Sequence, residues 1–351
     1  MDKKQIKLVL FGSGDFPVST FEFLASNYDV VGVVTSDDKC IFGVKRVYDV
    51  AIENNIPVYI PKNLEDDEFL EWLDWIGGNV YCVISYKYLP KCVVDKAEFA
   101  FNVHASLLPV LKGAAPINWA LRYGMTETGL TVIGLDEKID CGKIYGSYPC
   151  DISDDDNFET LFGKLSHECV HATCEMMGLI EKETLPAPVY QPCIPKECDA
   201  PVFHAPKLNI DNTTVKMFDL NSSNRSRELY NMIRSLSPNI GATFNMNITK
   251  WVETGDEFEF GGEFADVKNM TFKVYDASLV KKGQSWINIM YKGSDIITDW
   301  KHYMYIVPNL IDDYVVSVNR IQVSGKKILD IEDFLKGFQV YNKKDYFFNL
   351  A

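Results

Sequence analysis

Short apolar runs alternate with amphipathic stretches over the first 180 residues of the chain. The apolar runs are rich in β-branched or aromatic side chains and are bounded by Gly, Asp or Asn; they cover residues 6–11, 30–34, 80–84 and 100–103. Runs that are apolar throughout are typical of strands buried on both faces of a parallel sheet. We therefore predict four buried parallel strands in this region.

The amphipathic stretches between these runs predict helices. They read PVSTFEFLASN, KRVYDVAIENN and LEDDEFLEWLDWIGG, and the second and third end in Asn or Gly, as helices often do. A longer helical stretch over residues 157–182 closes the region. Strands alternating with helices predict a doubly wound, mostly parallel α/β domain, which we assign to residues 1–184.

The pattern changes at residue 185. Residues 185–208 hold six prolines in 24 positions, which excludes a single helix or a central strand. We predict an extended, Pro-rich linker over residues 185–207.

Residues 208–351 have a third pattern. SSNRSRELYNMIRSL predicts one helix, with Leu229, Ile233 and Leu236 on one face. Beyond Gly241 come short strand-like runs, namely ATFNMNI, TFKVYD, SWINIMYK, YMYIVP and DDYVVSVNRIQV. Short strands at fairly even spacing predict a small C-terminal β-barrel or sandwich, and no internal repeat is visible.

Composition is that of a folded globular protein, with 47% hydrophobic and 24% charged residues. No apolar run approaches the ~18 residues of a membrane span, and the first apolar run ends too early for a signal sequence. The nine cysteines are scattered, without a CxxC motif, so we expect reduced thiols in a cytoplasmic protein.

The charge is uneven. Residues 1–200 hold 17 Lys and Arg against 31 Asp and Glu, whereas residues 201–351 hold 18 of each. Any nucleic acid must therefore be attracted mainly by the C-terminal part and by local basic patches.

A glycine turn follows the first predicted strand. Gly12-Ser13-Gly14 supplies two glycines of a dinucleotide-binding motif, and Asp37 after the second strand could bind a ribose. Pro17 stands where the third glycine would be. The alternative is a tight strand-to-helix turn with Pro17 near the first helical turn, and we favour that alternative.

The sequence HECVH, from His167 to His171, matches the His-Glu-x-x-His pattern of zinc proteases. Such a site needs a third ligand, yet His204 and His302 are the only later histidines and belong to no second motif. The surrounding helix has an apolar stripe through Leu161, Leu165, Cys169 and Met176. We expect both histidines to be structural and predict no metal.

A denser constellation lies in FNVHASLLPVLKGAAPINWALRYG. Asn102, His104 and Ser106 alternate at the end of a predicted strand, where ligands bind in doubly wound sheets. Asp140 follows in LDEKIDCGKI. A carboxylate can orient an imidazole that exchanges protons, and an amide can donate to an oxyanion. The alternative is a strand-end histidine satisfied by local hydrogen bonds.

These stretches resemble the folate-dependent formyltransferases. FNVHASLLPVLKGAAPINWALRYGMTETGLTV followed by DEKIDCGKI is similar to their signature, and VLFGSGDFPVSTFEFL is similar to their first strand, turn and helix. APKLNID, MIRSLSPNIGATF and IQVSGKKILDIEDFLKGF resemble the linker end and C-terminal domain of the methionyl-tRNA branch. The same core also serves glycinamide ribonucleotide and amino-sugar formyltransferases and the hydrolase domain of formyltetrahydrofolate dehydrogenase.

The resemblance implies formyl transfer from 10-formyltetrahydrofolate, as co-substrate, to the amino group of charged initiator tRNA. It implies an OB-like C-terminal barrel that contacts tRNA, and we expect a monomer. It implies that Asn102 and protonated His104 stabilise the oxyanion while His104, held by Asp140, moves the proton. The folate-binding positions that it implies are Ser106, Leu107, Leu108, Pro109, Val83, Ser85 and Tyr86. Transfer to an amino-sugar nucleotide, formyltetrahydrofolate hydrolysis and binding without turnover remain alternatives.

The chain departs from the family pattern at three places. The loop SDDKCIFGVKR is short, with Lys39, Lys45 and Arg46 as its only bases. Lys112 and Cys141 replace the usual Arg and Thr beside the site. Residues 252–266 are strongly acidic in a domain expected to face tRNA. These departures concern tRNA contact and the pocket rim, and we expect the C-terminal bases Arg225, Arg227, Lys326 and Lys327 to contribute to tRNA binding.

Overall fold

The computed structural model describes residues 5–36, 45–192, 204–216, 220, 224–253, 262–282, 295–309, 311–338 and 346–350. The chain divides into two compact units. The first unit comprises Met1–Ala120, Met125–Asp155 and Thr160–Lys207, and the second comprises Leu121–Gly124, Asp156–Glu159 and Leu208–Ala351. The separate linker and the domain boundaries predicted above remain a proposal.

The described strands and helices up to residue 205 follow the predicted alternation. The strands are β1 (Lys7–Gly12), β2 (Asp29–Val34), β3 (Val58–Tyr59), β4 (Val80–Ile84), β5 (Phe99–His104), β6 (Lys112–Gly113), β7 (Glu127–Gly134), β8 (Ile144–Asp151) and β9 (His204–Ala205). The helices are α1 (Val18–Asn27), α2 (Val47–Glu53), α3 (Asp67–Ile76), α4 (Lys91–Val94), α5 (Pro116–Arg122) and α6 (Phe158–Glu181). The four predicted strands and the predicted helices are therefore confirmed.

The first sheet has the order β3-β2-β1-β4-β5-β7-β8. The first five strands in this order pair in parallel. Strand β7 pairs antiparallel with β5, and β8 pairs antiparallel with β7. The chain runs from β1 through β2 to β3 on one side of β1 and then crosses to β4 on the other side, so the prediction of a doubly wound, mostly parallel sheet is confirmed. Ligands bind near such reversals, beyond the carboxyl ends of the strands.

Burial explains why these elements form. Residues Leu8 to Phe11 of β1 are fully buried, as a strand covered on both faces requires. Helix α3 is followed directly by Gly77, whose φ of 66° suits glycine at a helix C-terminus. In α6 the predicted stripe is confirmed, because Leu161, Leu165 and Cys169 are inaccessible to solvent.

The Pro-rich segment belongs to the first unit, and several of its described residues bond to other parts of that unit. Val189 and Ile144 exchange two backbone hydrogen bonds of 2.8 Å, and β9 pairs in parallel with β6. The indole N–H of Trp119 donates to the Pro206 carbonyl at 2.8 Å. Residues 193–203 lie outside the described residues.

The second unit contains an antiparallel sheet. Its elements are α7 (Ile210–Thr213), α8 (Arg225–Arg234), β10 (Ala242–Glu253), β11 (Gly262–Lys281), β12 (Ile296–Thr298), β13 (Met304–Ile306), β14 (Tyr314–Val323), β15 (Ile328–Asp330), α9 (Ile331–Phe338) and β16 (Tyr346–Leu350). The order is β12-β13-β14-β11-β10-β16, with β15 paired to β14. Over the described residues the sheet is a half-barrel, which agrees with the predicted C-terminal β-barrel fold. The strand expected at SWINIMYK lies outside the described residues.

The core of the second unit forms between the sheet and α8. Leu229, Ile233 and Leu236 are fully buried, as predicted, but α8 ends at Arg234, so Leu236 lies in the turn that follows the helix. On the adjoining strands, the rings of Phe244 and Phe272 stack with centroids 5.2 Å apart. Asn224 caps the helix by accepting a hydrogen bond from the Arg227 N–H at 3.1 Å.

Among the helices that the structure describes, none is both long enough and apolar enough to cross a membrane.

Candidate active site

A pocket lies beyond the carboxyl ends of β4 and β5. Its apolar walls include Val83, Tyr86, Leu89, Ile133 and Leu135, and its polar groups include Asn102, Asp136 and Asp140. Asn102 reaches the pocket because it lies near the end of β5, where it pairs with Ile133 of β7. Apolar walls with a few convergent polar groups are typical of a site for an organic ligand.

His104, the last residue of β5, lies beside this pocket. Its side chain is only 7% exposed, and its Nδ1 atom is 3.4 Å from Oδ1 of Asp140. Its Nε2 atom is 3.0 Å from the Leu111 carbonyl oxygen. Because both ring nitrogens face oxygen acceptors, both can donate only when the ring carries two protons. The two oxygen atoms on either side of the ring therefore fix the orientation of the imidazole.

Asp140 is itself held by the backbone around it. Its Oδ2 atom accepts a hydrogen bond from the Gly113 N–H at 2.9 Å, so each carboxylate oxygen has its own partner. Gly113 has a φ of 121°, and a Cβ atom there would lie 2.7 Å from the Ala205 carbonyl oxygen. Only glycine fits this position, which explains the Gly of the LKGAAP stretch.

Three non-glycine residues around the site have left-handed backbone conformations. The φ angles are 52° at Ser85, 58° at Leu111 and 52° at Asp140. This region costs an L-residue about 1–2 kcal/mol, so the surrounding contacts must maintain it. Such conformations concentrate at functional sites.

The loop after β5 is fixed by Thr131 of β7. The Thr131 hydroxyl donates to the Ser106 carbonyl at 2.6 Å and accepts from the Leu108 N–H at 3.0 Å. Ser106 is fully buried, and its hydroxyl donates to the Val110 carbonyl at 2.6 Å. The Ser106–Pro109 stretch is thus a rigid turn beside His104.

Two lysines flank the Asp140 loop. Lys112 Nζ lies 3.3 Å from Cys141 Sγ, which joins the two residues that depart from the family pattern. Lys143 Nζ lies 4.6 Å from the centre of the Tyr190 ring. The hydrogen bond with Tyr190 raises the pKa of Lys143.

The HECVH histidines are on the surface of α6. His171 is 66% exposed, and its Nδ1 atom is 3.1 Å from Oε1 of Glu168. Its ring also makes an edge contact with Tyr148. Neither His167 nor His171 lines the pocket. In the described part of the chain, no group of three His, Cys, Asp or Glu side chains is arranged to hold a metal ion.

The glycine turn has the geometry of a strand-to-helix connection. Gly14 has a φ of 74°, and α1 begins at Val18, directly after Pro17. The Ser36 hydroxyl donates to the Ser13 hydroxyl at 2.7 Å, which ties this turn to the end of β2. The favoured interpretation as a turn agrees with this geometry, whereas Asp37 lies outside the described residues.

The bases expected to face tRNA differ in their contacts. Lys45 pairs with Glu53 at 2.7 Å, and Arg46 pairs with Asp49 at 2.9 Å. In the second unit, Lys326 and Lys327 are exposed, whereas Arg225 and Arg227 are half-buried. Lys39 and the side chains of residues 252–266 lie outside the described residues.

The structure thus brings together part of the predicted site. Four of the predicted residues line the pocket, namely Val83, Tyr86, Asn102 and Asp140. His104 does not line it but contacts Asp140, which does. Ser85, Ser106, Leu107, Leu108 and Pro109 do not line it. Sequence reasoning missed Thr131 and Gly113, which hold the site through backbone contacts. The glycine in LKGAAP was the one visible signal for Gly113.

Comparison with known proteins identifies the family. The model of the formyl transferase family matches residues 7–176. Methionyl-tRNA formyltransferase of Parabacteroides distasonis is 30% identical, over 97% of this chain and 98% of its own length. The enzyme of the same name from Azobacteroides pseudotrichonymphae is 31% identical, over 96% of this chain and 97% of its own length.

Solved structures agree on the fold. An N-formyltransferase from Helicobacter canadensis, in complex with folinic acid and dTDP-3-aminofucose, has a TM-score of 0.58 at 18% identity and covers 90% of this chain and 99% of its own. HypX from Aquifex aeolicus, in complex with tetrahydrofolic acid, has a TM-score of 0.55 at 12% identity and covers 96% of this chain and 48% of its own. On the similarity to curated relatives over nearly its full length, this chain belongs to the methionyl-tRNA formyltransferase family of folate-dependent formyltransferases.

Proposed function

We propose that the protein transfers the formyl group of 10-formyltetrahydrofolate to the amino group of methionyl-tRNA. The observation that carries this proposal is the His104–Asp140 contact of 3.4 Å at the end of β5, with Asn102 on the same strand, in a chain of this family. Formylated methionyl-tRNA serves translation initiation, so we propose a cytoplasmic location. We also propose that the protein acts as a monomer.

The reaction joins the methionyl nitrogen to the formyl carbon, breaks the bond from that carbon to the folate nitrogen, and moves one proton from the amine to the folate nitrogen. An α-amino group titrates near pH 8, so about a tenth is already neutral and nucleophilic at pH 7. The enzyme must therefore orient the amine, stabilise charge and carry the proton.

His104 carries the proton in this proposal. Asp140 fixes the ring through Nδ1, and the Nε2–H currently donates to the Leu111 carbonyl. When substrates bind, this N–H would exchange the carbonyl for the reacting groups. A cationic ring beside the formyl oxygen also stabilises the negative charge that develops there.

Asn102 supplies the second donor. Its amide lines the pocket two residues before His104 on β5. Because alternate residues of a strand face the same side, the amide and the imidazole can act on one oxygen. An amide also keeps its donor at every pH at which the protein is folded.

The pocket chemistry fits a folate ring system. Val83 and Leu135 offer apolar walls for a flat heterocycle, and Asp136 offers a carboxylate acceptor for ring N–H groups. We propose that Ser85 and the Ser106–Pro109 turn hold more distal parts of the donor. When bound, 10-formyltetrahydrofolate supplies the activated formyl group.

For the tRNA we propose contacts by the second unit. Lys326 and Lys327 are exposed, and neither forms an ion pair with another described residue. They can therefore contact phosphates without breaking such a pair. Lys45 and Arg46 already pair with acidic neighbours on their own unit. Phosphate contacts by exposed lysines give affinity that falls steeply as salt rises.

An assay with two acceptors tests the proposed function. Purified protein is incubated with 10-formyltetrahydrofolate and either methionyl initiator tRNA or a dTDP-linked amino sugar. We expect formyl-methionyl-tRNA and no formylated sugar. Formylation of the sugar alone would favour the amino-sugar alternative, release of formate with neither product would favour the hydrolase, and folate binding without any product would refute catalysis.

A further inference from the structure

The loop that carries Asp140 is clamped by a glutamine from the Pro-rich segment. The Gln191 side-chain nitrogen donates to the carbonyl oxygens of Asp140 and Gly142, both at 2.9 Å. One amide thus bridges both sides of Cys141. Gln191 is 51 residues from Asp140 in the sequence. The contact therefore joins two segments that are far apart along the chain.

The clamp acts on a backbone conformation that needs support. Asp140 has a φ of 52°, and a Cβ atom at Gly142 would overlap the Gly134 carbonyl oxygen. The turn is therefore both strained and tightly packed against the end of β7. Holding the two carbonyls fixes the Asp140–Cys141 and Gly142–Lys143 peptide planes, and with them the direction of the Asp140 carboxylate.

The orientation of the Gln191 amide is fixed by its two carbonyl partners, which can only accept hydrogen bonds. Its Oε1 atom is buried and has no hydrogen-bond partner among the described residues. Rotating the amide by 180° would bring this oxygen against two carbonyl oxygens, so only the observed orientation is favourable. The backbone pairing of Val189 with Ile144 fixes the segment two residues before Gln191.

We propose that Gln191 is a positioning residue for formyl transfer, which acts through Asp140 on His104. This proposal rests on the proposed function. The chain of contacts runs from the Gln191 amide to the Asp140 carbonyl and from the Asp140 carboxylate to His104 Nδ1, across 3.4 Å. The Pro-rich segment is thus part of the active-site framework in addition to connecting the chain.

The test replaces Gln191 with methionine, which has a similar shape but no donor. Since a small misplacement of a catalytic group can cost up to about 100-fold, we expect Q191M to lower kcat about 10- to 100-fold. The KM values should change by less than about threefold, because Gln191 does not line the pocket. In a D140N background the same substitution should lower the remaining rate by less than about twofold, since both changes act through one carboxylate.

Asn79→Ala provides a matched control. The Asn79 side chain also bridges two backbone groups, accepting from the Lys7 N–H at 2.8 Å and donating to the Gln5 carbonyl at 3.1 Å. It lies before β4, at the opposite end of the sheet from the pocket. N79A should lower thermal stability but keep kcat near the wild-type value.

The outcomes separate this proposal from the proposed function. If the wild-type protein formylates methionyl-tRNA and Q191M keeps its kcat, the positioning role is refuted and the proposed function stands. If Q191M lowers kcat equally in the wild-type and D140N backgrounds, Gln191 does not act through Asp140. Q191E also removes both donors and serves as a second variant. Failure of both variants to fold would refute the positioning role in favour of a purely structural one.

Discussion

Oδ1 of Asp140 lies 3.4 Å from Nδ1 of His104, at the point where β5 ends. The other oxygen of the carboxylate is occupied by the Gly113 N–H at 2.9 Å. One oxygen of the carboxylate is thus held by the backbone, and the other oxygen points to the imidazole. This arrangement orients the ring without leaving the carboxylate free to rotate.

Replacing Asp140 with asparagine tests that arrangement. D140N keeps the size of the side chain but removes the carboxylate charge that faces His104 Nδ1. We expect kcat for formyl transfer to fall by about 100- to 10,000-fold, the usual contribution of acid–base catalysis. Asp74→Asn is the control, because Asp74 is an exposed partner of Lys96 and is not part of the pocket. A D140N protein with the kcat of D74N would contradict the role of Asp140.

Thr131→Val tests the turn after β5. The hydroxyl of Thr131 serves two backbone groups and is inaccessible to solvent. Valine leaves the Leu108 N–H and the Ser106 carbonyl without this partner, so we expect a loss of about 1–3 kcal/mol in the free energy of unfolding. We also expect weaker folate binding, because the turn is a proposed folate contact. Urea unfolding and a folate titration measure the two effects.

Thr243→Val is the matched control for this experiment. Thr243 is 6% exposed, and its hydroxyl has no hydrogen-bond partner among the described residues. The same chemical change should therefore be close to neutral or stabilising. Equal losses of stability in T131V and T243V would show that the Thr131 hydrogen bonds do not hold the turn.

Much of the first unit follows from local patterns. The fully apolar run in β1 predicted a doubly covered strand, and the stripe on α6 predicted its buried face, because each pattern repeats with the period of the element. Asn102 and His104 were found in the same way, since alternate positions of a strand share a side. Asp140 is identified from the Asp-Cys-Gly turn, and the family resemblance implies its role beside His104.

The contacts that hold the site have no such local signal. Gln191 reaches the carbonyl of Gly142 across 49 residues, and Thr131 reaches Leu108 across 23. Both bind backbone groups, which every residue possesses, so no residue pattern marks the partner. The left-handed conformation of Leu111, which directs its carbonyl to His104, is equally invisible in a sequence that has leucine there.

Substituting both HECVH histidines with glutamine should leave formyl transfer nearly intact. His171 is exposed and engaged with Glu168, and neither histidine lines the pocket. We expect the kcat of H167Q/H171Q to stay within about twofold of the wild-type value, as is usual for exposed residues away from a site. Metal analysis of the purified protein accompanies the assay. A large loss of kcat in the folded variant, or near-stoichiometric zinc in the wild-type protein, would refute the structural interpretation.

Asp299 should make the stability of the second unit depend on acid pH. Burial raises the pKa of Asp299. Hydrogen bonds that its carboxylate accepts from the backbone N–H groups of His302, Lys301 and Tyr303 have the larger effect, so the pKa is lowered. A carboxylate with a lowered pKa stabilises the folded state above its unfolded value of about 3.9, and this stability is lost as pH falls toward the folded value. D299N should therefore be less stable than wild type at pH 7, and the difference should shrink below about pH 4.

Urea unfolding of both proteins across this pH range measures the effect. Asp330→Asn is the control. Asp330 is also a carboxylate with a basic partner, since its Oδ1 atom is 3.7 Å from Arg320 Nε, but its side chain is 78% exposed. Exposed pairs of this kind contribute about 0–1 kcal/mol at most. A D299N deficit that stays constant down to pH 2 would show that the carboxylate charge is not its origin.

The most direct test of the account is the rate of formyl transfer by wild-type protein and by H104A. Both proteins are mixed with 10-formyltetrahydrofolate and methionyl initiator tRNA under single-turnover conditions, and folate binding is measured in parallel. We predict that wild-type protein yields formyl-methionyl-tRNA, and that H104A binds folate but transfers the formyl group about 100- to 10,000-fold more slowly. A wild-type rate in H104A, or no formylated methionyl-tRNA from the wild-type protein, would contradict the account.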